Sequence, residues 1–198
     1  EIASLMANRD GGSVVTPDPT FQQILRYASS MGSEIIRVPV GPDLNIDLAA
    51  MKRAIRKDTR LVYIVNPNNP IPSIVAKKEL EEFVLEVSKK CMVLIDEAYY
   101  EFVDDPSYGS MIDLVRKGHK NILVSRTASK IHGMAGLRIG FGFAHADHIK
   151  EIGAKGTGSL SILAITAATA SYQDNEFQNY TRRKVRESKL IVEDMVQE

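Results

Sequence analysis

Residues 61–70 read Leu-Val-Tyr-Ile-Val-Asn-Pro-Asn-Asn-Pro, an apolar run that ends abruptly in a polar turn. A second run with the same plan, Cys-Met-Val-Leu-Ile-Asp-Glu, occupies residues 91–97. Between them, the sequence from about Ala76 to Lys89 has the apolar spacing of a helix. Strands that are apolar throughout and are separated by helices are typical of a parallel sheet covered on both faces. These stretches predict an α/β fold.

The rest of the chain repeats this alternation of short apolar runs and helical patterns. Further strands are predicted at Ser13–Thr16, Glu34–Val38, Asn121–Val124 and Leu137–Ala144. The predicted helices include one with a buried stripe of Phe21, Ile24, Leu25 and Ala28, one capped by Asp47 and running to about Arg56, and one at about Ser110–Arg116. Ile2, Leu5 and Met6 also have helical spacing, and three more helices complete the chain. We therefore expect a mainly parallel sheet sandwiched by helices.

The composition is that of a globular protein without net charge. Lys+Arg and Asp+Glu each number 25 among 198 residues, and this balance argues against nucleic acid as the main partner, because phosphate contacts need a basic excess. The longest apolar runs, such as 92–95 and 161–170, are too short to span a bilayer, so no membrane partner is expected. Cys91 is the single cysteine and cannot form an internal disulfide, which predicts a cytoplasmic location.

Polar side chains follow several predicted strands at the carboxyl end, where open α/β sheets bind their ligands. Asn66 and Asn69 follow one strand, and Asp96 follows another, with Tyr99 three residues later. Burying an isolated carboxylate is costly, so Asp96 needs a cation or several donors. A helix N-cap or a metal-binding carboxylate are the other interpretations of Asp96.

A lysine, hydroxyl groups and an arginine follow the strand predicted at 121–124. Thr127, Ser129 and Lys130 lie within four residues of one another in the sequence, and Arg138 lies in the segment Gly-Leu-Arg-Ile-Gly at 136–140. A single lysine such as Lys130 is usually a solvated surface residue. Arg138 is expected on a strand, where its guanidinium suits a phosphate. If the lysine, the hydroxyl groups and the arginine lie near the carboxylate of Asp96, they form a site that fits a phosphorylated cofactor with a cationic ring.

Three motifs in this order resemble those of fold type I pyridoxal-phosphate enzymes. They are Asn-Pro-Asn-Asn-Pro at 66–70, Asp-Glu-Ala-Tyr at 96–99, and Ser129-Lys130 followed by Gly-Leu-Arg-Ile-Gly at 136–140. The chain is most similar to the histidinol-phosphate aminotransferase group of class I and II aminotransferases, over nearly its whole length. The resemblance implies a large pyridoxal-phosphate-binding domain of the aspartate aminotransferase type at 1–176, with its N-terminal part missing. Residues 177–198 would then lead toward a small C-terminal domain that is absent.

The resemblance also implies a reaction and its catalytic residues. The reaction would move an amino group between an amine such as histidinol phosphate and a 2-oxo acid such as 2-oxoglutarate. Lys130 would bind the aldehyde of pyridoxal 5'-phosphate and then act as the base. Asp96 would pair with the pyridinium nitrogen, while Asn69 and Tyr99 would hydrogen-bond the ring 3'-oxygen. Enzymes of this fold type work as homodimers, so a second copy of the chain is the expected partner.

The remaining cofactor contacts implied by the resemblance concern the phosphate and the ring face. Thr127, Ser129 and Arg138 would bind the phosphate, Phe21 would stack on the ring, and no metal is implied. The sequence departs from the family pattern at Asn-Pro-Ile-Pro, residues 69–72, where Asn-Pro-Thr-Gly is usual. His132 stands where an aromatic residue is frequent, and we interpret it as a structural histidine.

Other functions are compatible with parts of this pattern. A non-catalytic pyridoxal-phosphate-binding sensor module would keep the cofactor residues, and another fold type I enzyme such as a decarboxylase would keep the lysine as well. A nucleotide-binding α/β domain is disfavoured, because the sequence lacks the glycine fingerprint after its first strand.

Overall fold

A computed structural model of the chain describes residues 11–154 and 159–197. The helix predicted at residues 2–6 lies outside the described residues. The strands are β1 (Ser13–Asp18), β2 (Glu34–Pro39), β3 (Thr59–Val65), β4 (Met92–Asp96), β5 (Ile122–Thr127) and β6 (Gly140–Ala144). The helices are α1 (Gln23–Ser30), α2 (Leu48–Ala54), α3 (Lys77–Val87), α4 (Ile112–Arg116), α5 (Ala146–Ala154), α6 (Ile162–Gln173) and α7 (Asn175–Gln197). Short 3-10 helices occupy Tyr100–Phe102 and Ala135–Leu137.

The strands form one six-stranded sheet in the order β2-β1-β3-β4-β5-β6. The pairs β2–β1, β1–β3, β3–β4 and β4–β5 are all parallel. Strand β1 therefore pairs with β2 on one side and with β3 on the other, so the direction of strand progression reverses there. This is the position at which open α/β sheets leave a crevice beyond the strand ends.

Apolar side chains cover both faces of the sheet, as expected for strands without polar alternation. On one face Val62, Ile64, Val93 and Ile95 pack with buried residues of α2, α3 and α4. On the other face, Leu61, Tyr63, Val65 and Leu94 pack with Leu25 and Ala28 of α1. Since successive strand residues point to opposite faces, each buried strand contributes to both clusters.

The chain divides into two compact units by the clustering of its contacts. Among the described residues, unit 1 comprises 11–126 and 141–154, and unit 2 comprises 127–140 and 159–197. Both apolar clusters of the sheet belong to unit 1. Within the described ranges, no helix has the length and apolar character needed to cross a membrane.

The predicted elements agree with the structure in type and order, and two details are wrong. The cap of α2 is confirmed, because the Asp47 carboxylate accepts a hydrogen bond from the Ala50 backbone N–H at 2.7 Å. Phe21 was expected in the buried stripe of α1, but it precedes the helix and is 42% exposed. The strand predicted from Leu137 begins only at Gly140, since Ala135–Leu137 is a 3-10 helix.

Candidate functional site

The reversal of strand order at β1 and β3 coincides with a cavity of about 590 Å³ in unit 1. The residues that follow these two strands contribute to its lining. The cavity is lined by Thr20, Phe21, Gln22, Gln23, Arg26, Tyr27, Asn69 and Pro70. Two of the predicted site residues, Phe21 and Asn69, thus meet at one cavity although they are far apart in sequence.

The two loops beside the cavity are tied together by polar side chains. The Thr20 hydroxyl donates to the Asn68 side-chain oxygen at 2.9 Å, and the Asn68 amide donates to the Pro19 carbonyl at 3.0 Å. Asn66 exchanges two hydrogen bonds with the Val75 backbone, at 2.9 and 3.2 Å. The three asparagines of the polar turn therefore have different roles. The side chains of Asn66 and Asn68 hold the loop in place by hydrogen bonds, whereas Asn69 lines the cavity.

Asn69 and Tyr99 are brought together from the loops that follow β3 and β4. The Asn69 amide nitrogen donates to the Tyr99 hydroxyl at 3.3 Å. Because a phenol can accept one hydrogen bond and donate another, this pair can present the Tyr99 O–H to an acceptor on a ligand. The joint action of these two residues on one ligand atom stays a prediction.

Asp96 ends β4 on the face of the sheet that carries Tyr63. It lies opposite Val65 in the parallel register, one pleat beyond the Tyr63–Leu94 pair. Burial, together with the charge of Asp96 and a hydrogen bond to it, raises the pKa of Tyr63 above its usual range. The Asp96 carboxylate also accepts from the Ala98 backbone N–H at 3.1 Å. The Asp96 carboxylate, which is half-buried rather than fully buried, is therefore supplied with hydrogen-bond donors.

Glu97, the next residue, is bound in a separate polar cluster that the sequence did not reveal. Its carboxylate accepts from the Met111 backbone N–H and the Ser110 hydroxyl, each at 2.7 Å. The Arg126 guanidinium donates to it through Nε at 3.1 Å and a terminal nitrogen at 2.9 Å. The carbon of that guanidinium lies 3.7 Å from the centre of the Tyr100 ring. The sequence feature that could have indicated this cluster is a second carboxylate directly after a buried strand.

Thr127, Ser129 and Lys130 lie in unit 2, where Thr127 ends β5 and the other two follow it in a tight turn. The Ser129 backbone N–H donates to the Thr127 hydroxyl oxygen at 3.0 Å. The Lys130 carbonyl accepts from Gly133 at 2.9 Å, and the Ala128 carbonyl accepts from Met134 at 3.0 Å. These bonds hold the hydroxyl-bearing residues and Lys130 in a single compact turn.

Arg138 does not lie on a strand, contrary to the prediction. It follows the 3-10 helix in the left-handed conformation, with φ of 54° and ψ of 45°. One of its guanidinium nitrogens donates to the Ala135 carbonyl at 2.8 Å, and a guanidinium has five N–H groups in all. The apolar residues on either side of Arg138 suggested a continuous strand, whereas the left-handed conformation of Arg138 itself separates the 3-10 helix from β6.

His132 is built into unit 2 as the structural interpretation predicted. It is 4% exposed, its Nδ1 lies 3.0 Å from the Ser171 hydroxyl oxygen, and its ring stacks on Tyr172 with centroids 4.0 Å apart. Burial lowers the pKa of His132. The geometry is that of an aromatic packing residue with one polar anchor.

A metal centre has no support in the part of the chain that the structure describes. No group of three or more His, Cys, Asp or Glu side chains is placed to hold an ion there. Asp147 instead lies 3.3 Å from His145 and 3.7 Å from Lys120, as surface pairs do.

Comparison with known proteins gives a consistent result along the whole chain. The family model for aminotransferase class I and II matches residues 1–198. A histidinol-phosphate aminotransferase from Moorella thermoacetica is 36% identical over 193 residues, which cover 96% of this chain and 50% of the relative. That of Bacillus subtilis (strain 168) is 37% identical over 169 residues, covering 85% and 47%. The chain thus spans about half the length of the curated relatives it matches.

Solved structures match over the same extent. A putative histidinol-phosphate aminotransferase from Erwinia carotovora atroseptica superposes with a TM-score of 0.92 at 29% identity, covering 99% of this chain and 58% of that one. A histidinol-phosphate aminotransferase from Sinorhizobium meliloti, in complex with pyridoxal-5'-phosphate, gives 0.88 at 22% identity, covering 96% and 52%. The sheet and its helices are therefore those of a known fold, shared with the aspartate aminotransferase of Thermus thermophilus (TM-score 0.81 at 22% identity, covering 94% and 50%).

Proposed function

The chain belongs to the class I and II aminotransferase family, and from this premise we propose that it binds pyridoxal 5'-phosphate and serves an amino-group transfer. The observation that carries the proposal is the pairing of Asn69 with Tyr99 near the end of β4, the strand that Asp96 terminates. The packing of the apolar cores and the capping of helices do not explain why Asn69, Asp96 and Tyr99 lie together at the carboxyl edge of the sheet.

The donor set of unit 1 fits the pyridine ring of such a cofactor. Asp96 is a carboxylate supported by Tyr63 and by the Ala98 N–H, so it is suited to hold a proton on a ring nitrogen. Asn69 and Tyr99 supply a polar hydrogen to an oxygen on the ring. Phe21 offers an exposed aromatic face at the cavity for stacking.

The donor set of unit 2 fits the phosphate and the aldehyde. Thr127 and Ser129 bring hydroxyl groups, and Arg138 brings a guanidinium, which are the usual ligands of a phosphate. Lys130 would supply the amine that holds the cofactor aldehyde, and this amine, once the substrate amine has displaced it, would be the group that moves the proton at the substrate Cα. Pyridoxal 5'-phosphate, when bound, supplies an electron sink that stabilises negative charge at that carbon.

Histidinol phosphate is the amino donor we propose, with a 2-oxo acid such as 2-oxoglutarate as the acceptor. The support for this choice is the name of the curated relatives that are 34–37% identical over most of the chain. A cytoplasmic location belongs to the same proposal and rests on the single cysteine.

A homodimer is the assembly we propose, with residues 177–198 leading from the large domain toward a smaller one. Support comes from unit 2, where Ile162 and Leu163 of α6 are 72% and 74% exposed and Leu190, Ile191, Met195 and Val196 of α7 are also exposed. Apolar side chains of this size at neighbouring positions are typical of surfaces that another segment or subunit covers. Sedimentation velocity of the protein tests this, and a concentration-independent monomer would contradict it.

Borohydride trapping is the experiment that tests the cofactor proposal. The protein is incubated with pyridoxal 5'-phosphate, reduced and digested, and the pyridoxyl group is located by mass spectrometry. We expect a single adduct at Lys130 that disappears in Lys130→Ala. Lys150→Ala, on the surface of α5, is the matched control and should leave the adduct at Lys130 unchanged.

The outcome separates the alternatives as well. Labelling scattered over surface lysines would overturn the proposed function. A single Lys130 adduct without conversion of added histidinol phosphate and 2-oxoglutarate would favour a non-catalytic cofactor-binding module or a different reaction of the same cofactor. Release of carbon dioxide from an amino acid substrate would identify a decarboxylase.

A further inference from the structure

We propose that Glu97 is a positioning residue, whose buried carboxylate fixes the 96–99 turn so that Asp96 and Tyr99 keep their places at the cofactor edge. This inference rests on the proposed function, since it concerns how unit 1 presents the cofactor-binding side chains. Glu97 itself is not offered as a ligand of the cofactor.

The first support is that both oxygens of the Glu97 carboxylate accept hydrogen bonds from neighbouring groups. The side chain is 1% exposed, and its two oxygens accept four hydrogen bonds from Ser110, Met111 and Arg126. Within the described ranges, Arg126 is the cation that pairs with it, at 2.9 Å. Removal of Arg126 would leave the buried Glu97 carboxylate without a cation, which is strongly destabilising.

The second support is that Glu97 is fixed through its backbone as well. Its N–H donates to the Ser125 carbonyl of β5 at 2.9 Å, and its own carbonyl accepts from Tyr100 at 3.1 Å. Asp96 and Glu97 are held on different faces of the sheet. Asp96 shares the face of Tyr63, while Glu97 contacts Met111, which belongs to the opposite cluster. The turn is thus anchored on one face and presents Asp96 on the other.

The third support is the continuation of this cluster into the loops that carry the other site residues. Arg126 stacks on Tyr100, one residue after Tyr99, and Tyr100 contacts the ring of Tyr108 at a centroid distance of 5.8 Å. The Tyr108 hydroxyl donates to the Asn66 carbonyl at 2.7 Å. One polar cluster therefore connects the end of β4 to β5 and to the loop after β3. Asp96 and Tyr99 lie at and just after the end of β4, and Asn69 lies in the loop after β3.

Glu97→Gln tests the proposal, because it preserves the shape of the side chain and removes its charge. The affinity for pyridoxal 5'-phosphate is measured by absorbance titration, and the pH dependence of the absorbance of the bound cofactor is recorded with it. We expect binding to weaken about tenfold and the pH midpoint to shift, since Asp96 and Tyr99 are displaced. Glu86→Gln is the matched control, because it breaks the Lys52–Glu86 ion pair of unit 1, which joins α2 to α3 and involves neither the 96–99 turn nor the residues that bind Glu97. It should change neither readout.

A double replacement distinguishes positioning from a general loss of stability. Glu97→Leu with Arg126→Leu removes both buried charges, so the thermal midpoint should recover relative to Glu97→Gln. The affinity for pyridoxal 5'-phosphate should stay weak, because the anchor of the turn is still missing. If Glu97→Gln does not fold, this double variant alone decides the question.

Three results would count against the inference, and they differ from one another. Wild-type affinity and pH midpoint in Glu97→Gln would overturn it while leaving the proposed function intact. Recovery of cofactor affinity together with the thermal midpoint in the double variant would reduce Glu97 to a stabilising residue. Absence of a Lys130 adduct in the wild-type protein would overturn both the proposed function and this inference.

Discussion

The side-chain amide of Asn69 donates a hydrogen bond of 3.3 Å to the hydroxyl of Tyr99, a residue that follows a different strand. Their strands β3 and β4 are adjacent and parallel, so both loops leave the same edge of the sheet. By occupying an acceptor position of the phenol, Asn69 leaves the Tyr99 proton to point elsewhere. The hydrogen bond from Asn69 therefore orients the Tyr99 hydroxyl as a hydrogen-bond donor.

Tyr99→Phe removes that donor without changing the shape of the ring. We expect the affinity for pyridoxal 5'-phosphate to fall about tenfold, while the unfolding free energy changes by about 1 kcal/mol, the usual net contribution of a hydrogen bond between neutral groups. Absorbance titration and urea denaturation measure the two quantities. Tyr180→Phe, on the exposed surface of α7, is the matched control and should alter neither. Equal cofactor affinity in Tyr99→Phe and wild type would contradict the assigned role.

The fold could be predicted from the sequence because its strands lack polar alternation. The runs that end at Val65 and Asp96 carry apolar residues toward both faces, and only a doubly covered parallel sheet satisfies such runs. The cap at Asp47 was readable for a similar reason, since one side chain meets a backbone N–H three residues away. Local patterns of this kind need no knowledge of tertiary structure.

Contacts that depend on strand register could not be predicted in this way. Glu97 and Arg126 are 29 residues apart in the sequence and form an ion pair because β4 and β5 are neighbours in the sheet. The local sequence of either segment does not predict that the two strands are adjacent. Arg138 was misplaced because its apolar neighbours suggested a strand, whereas its positive φ is a property of the folded turn. The cluster around Glu97 was therefore the part of the candidate site that required the structure.

Arg126→Met should destabilise the protein strongly. It leaves the Glu97 carboxylate buried with two neutral donors and no cation, so we expect a loss of about 3 kcal/mol in unfolding free energy. Urea denaturation at neutral pH gives the value. Arg116→Met is the control, because Arg116 is exposed and lies 3.7 Å from Asp113 in a surface pair. Its effect should stay below about 0.5 kcal/mol, and equal losses in the two variants would refute the argument.

The Cys91 thiol should react slowly in the native protein. Burial raises its pKa to about 11, from an unfolded value near 9, so almost no thiolate is present at neutral pH. Because the folded pKa is raised, the neutral thiol adds stability below pH 9 that is lost as the pH rises toward 11. Reaction with a disulfide reagent, followed by absorbance, should be far slower in buffer than in urea. As Cys91 is the single cysteine, the signal is unambiguous, and fast native labelling at pH 7 would show that the site is open.

His132 should make stability fall as the solution becomes acidic. Burial lowers its pKa, with the charge of Arg182 acting in the same direction and a bond to Ser171 opposing both. A depressed pKa means that the neutral ring stabilises the fold above the unfolded pKa of about 6.5, and that this contribution is lost as pH falls through the folded value. His132→Phe can keep the stack on Tyr172 but cannot ionise, so its urea midpoint should depend less on pH between 7.5 and about 5 than that of the wild type. If His132→Phe and wild type lose the same stability over this range, protonation of His132 is not the cause.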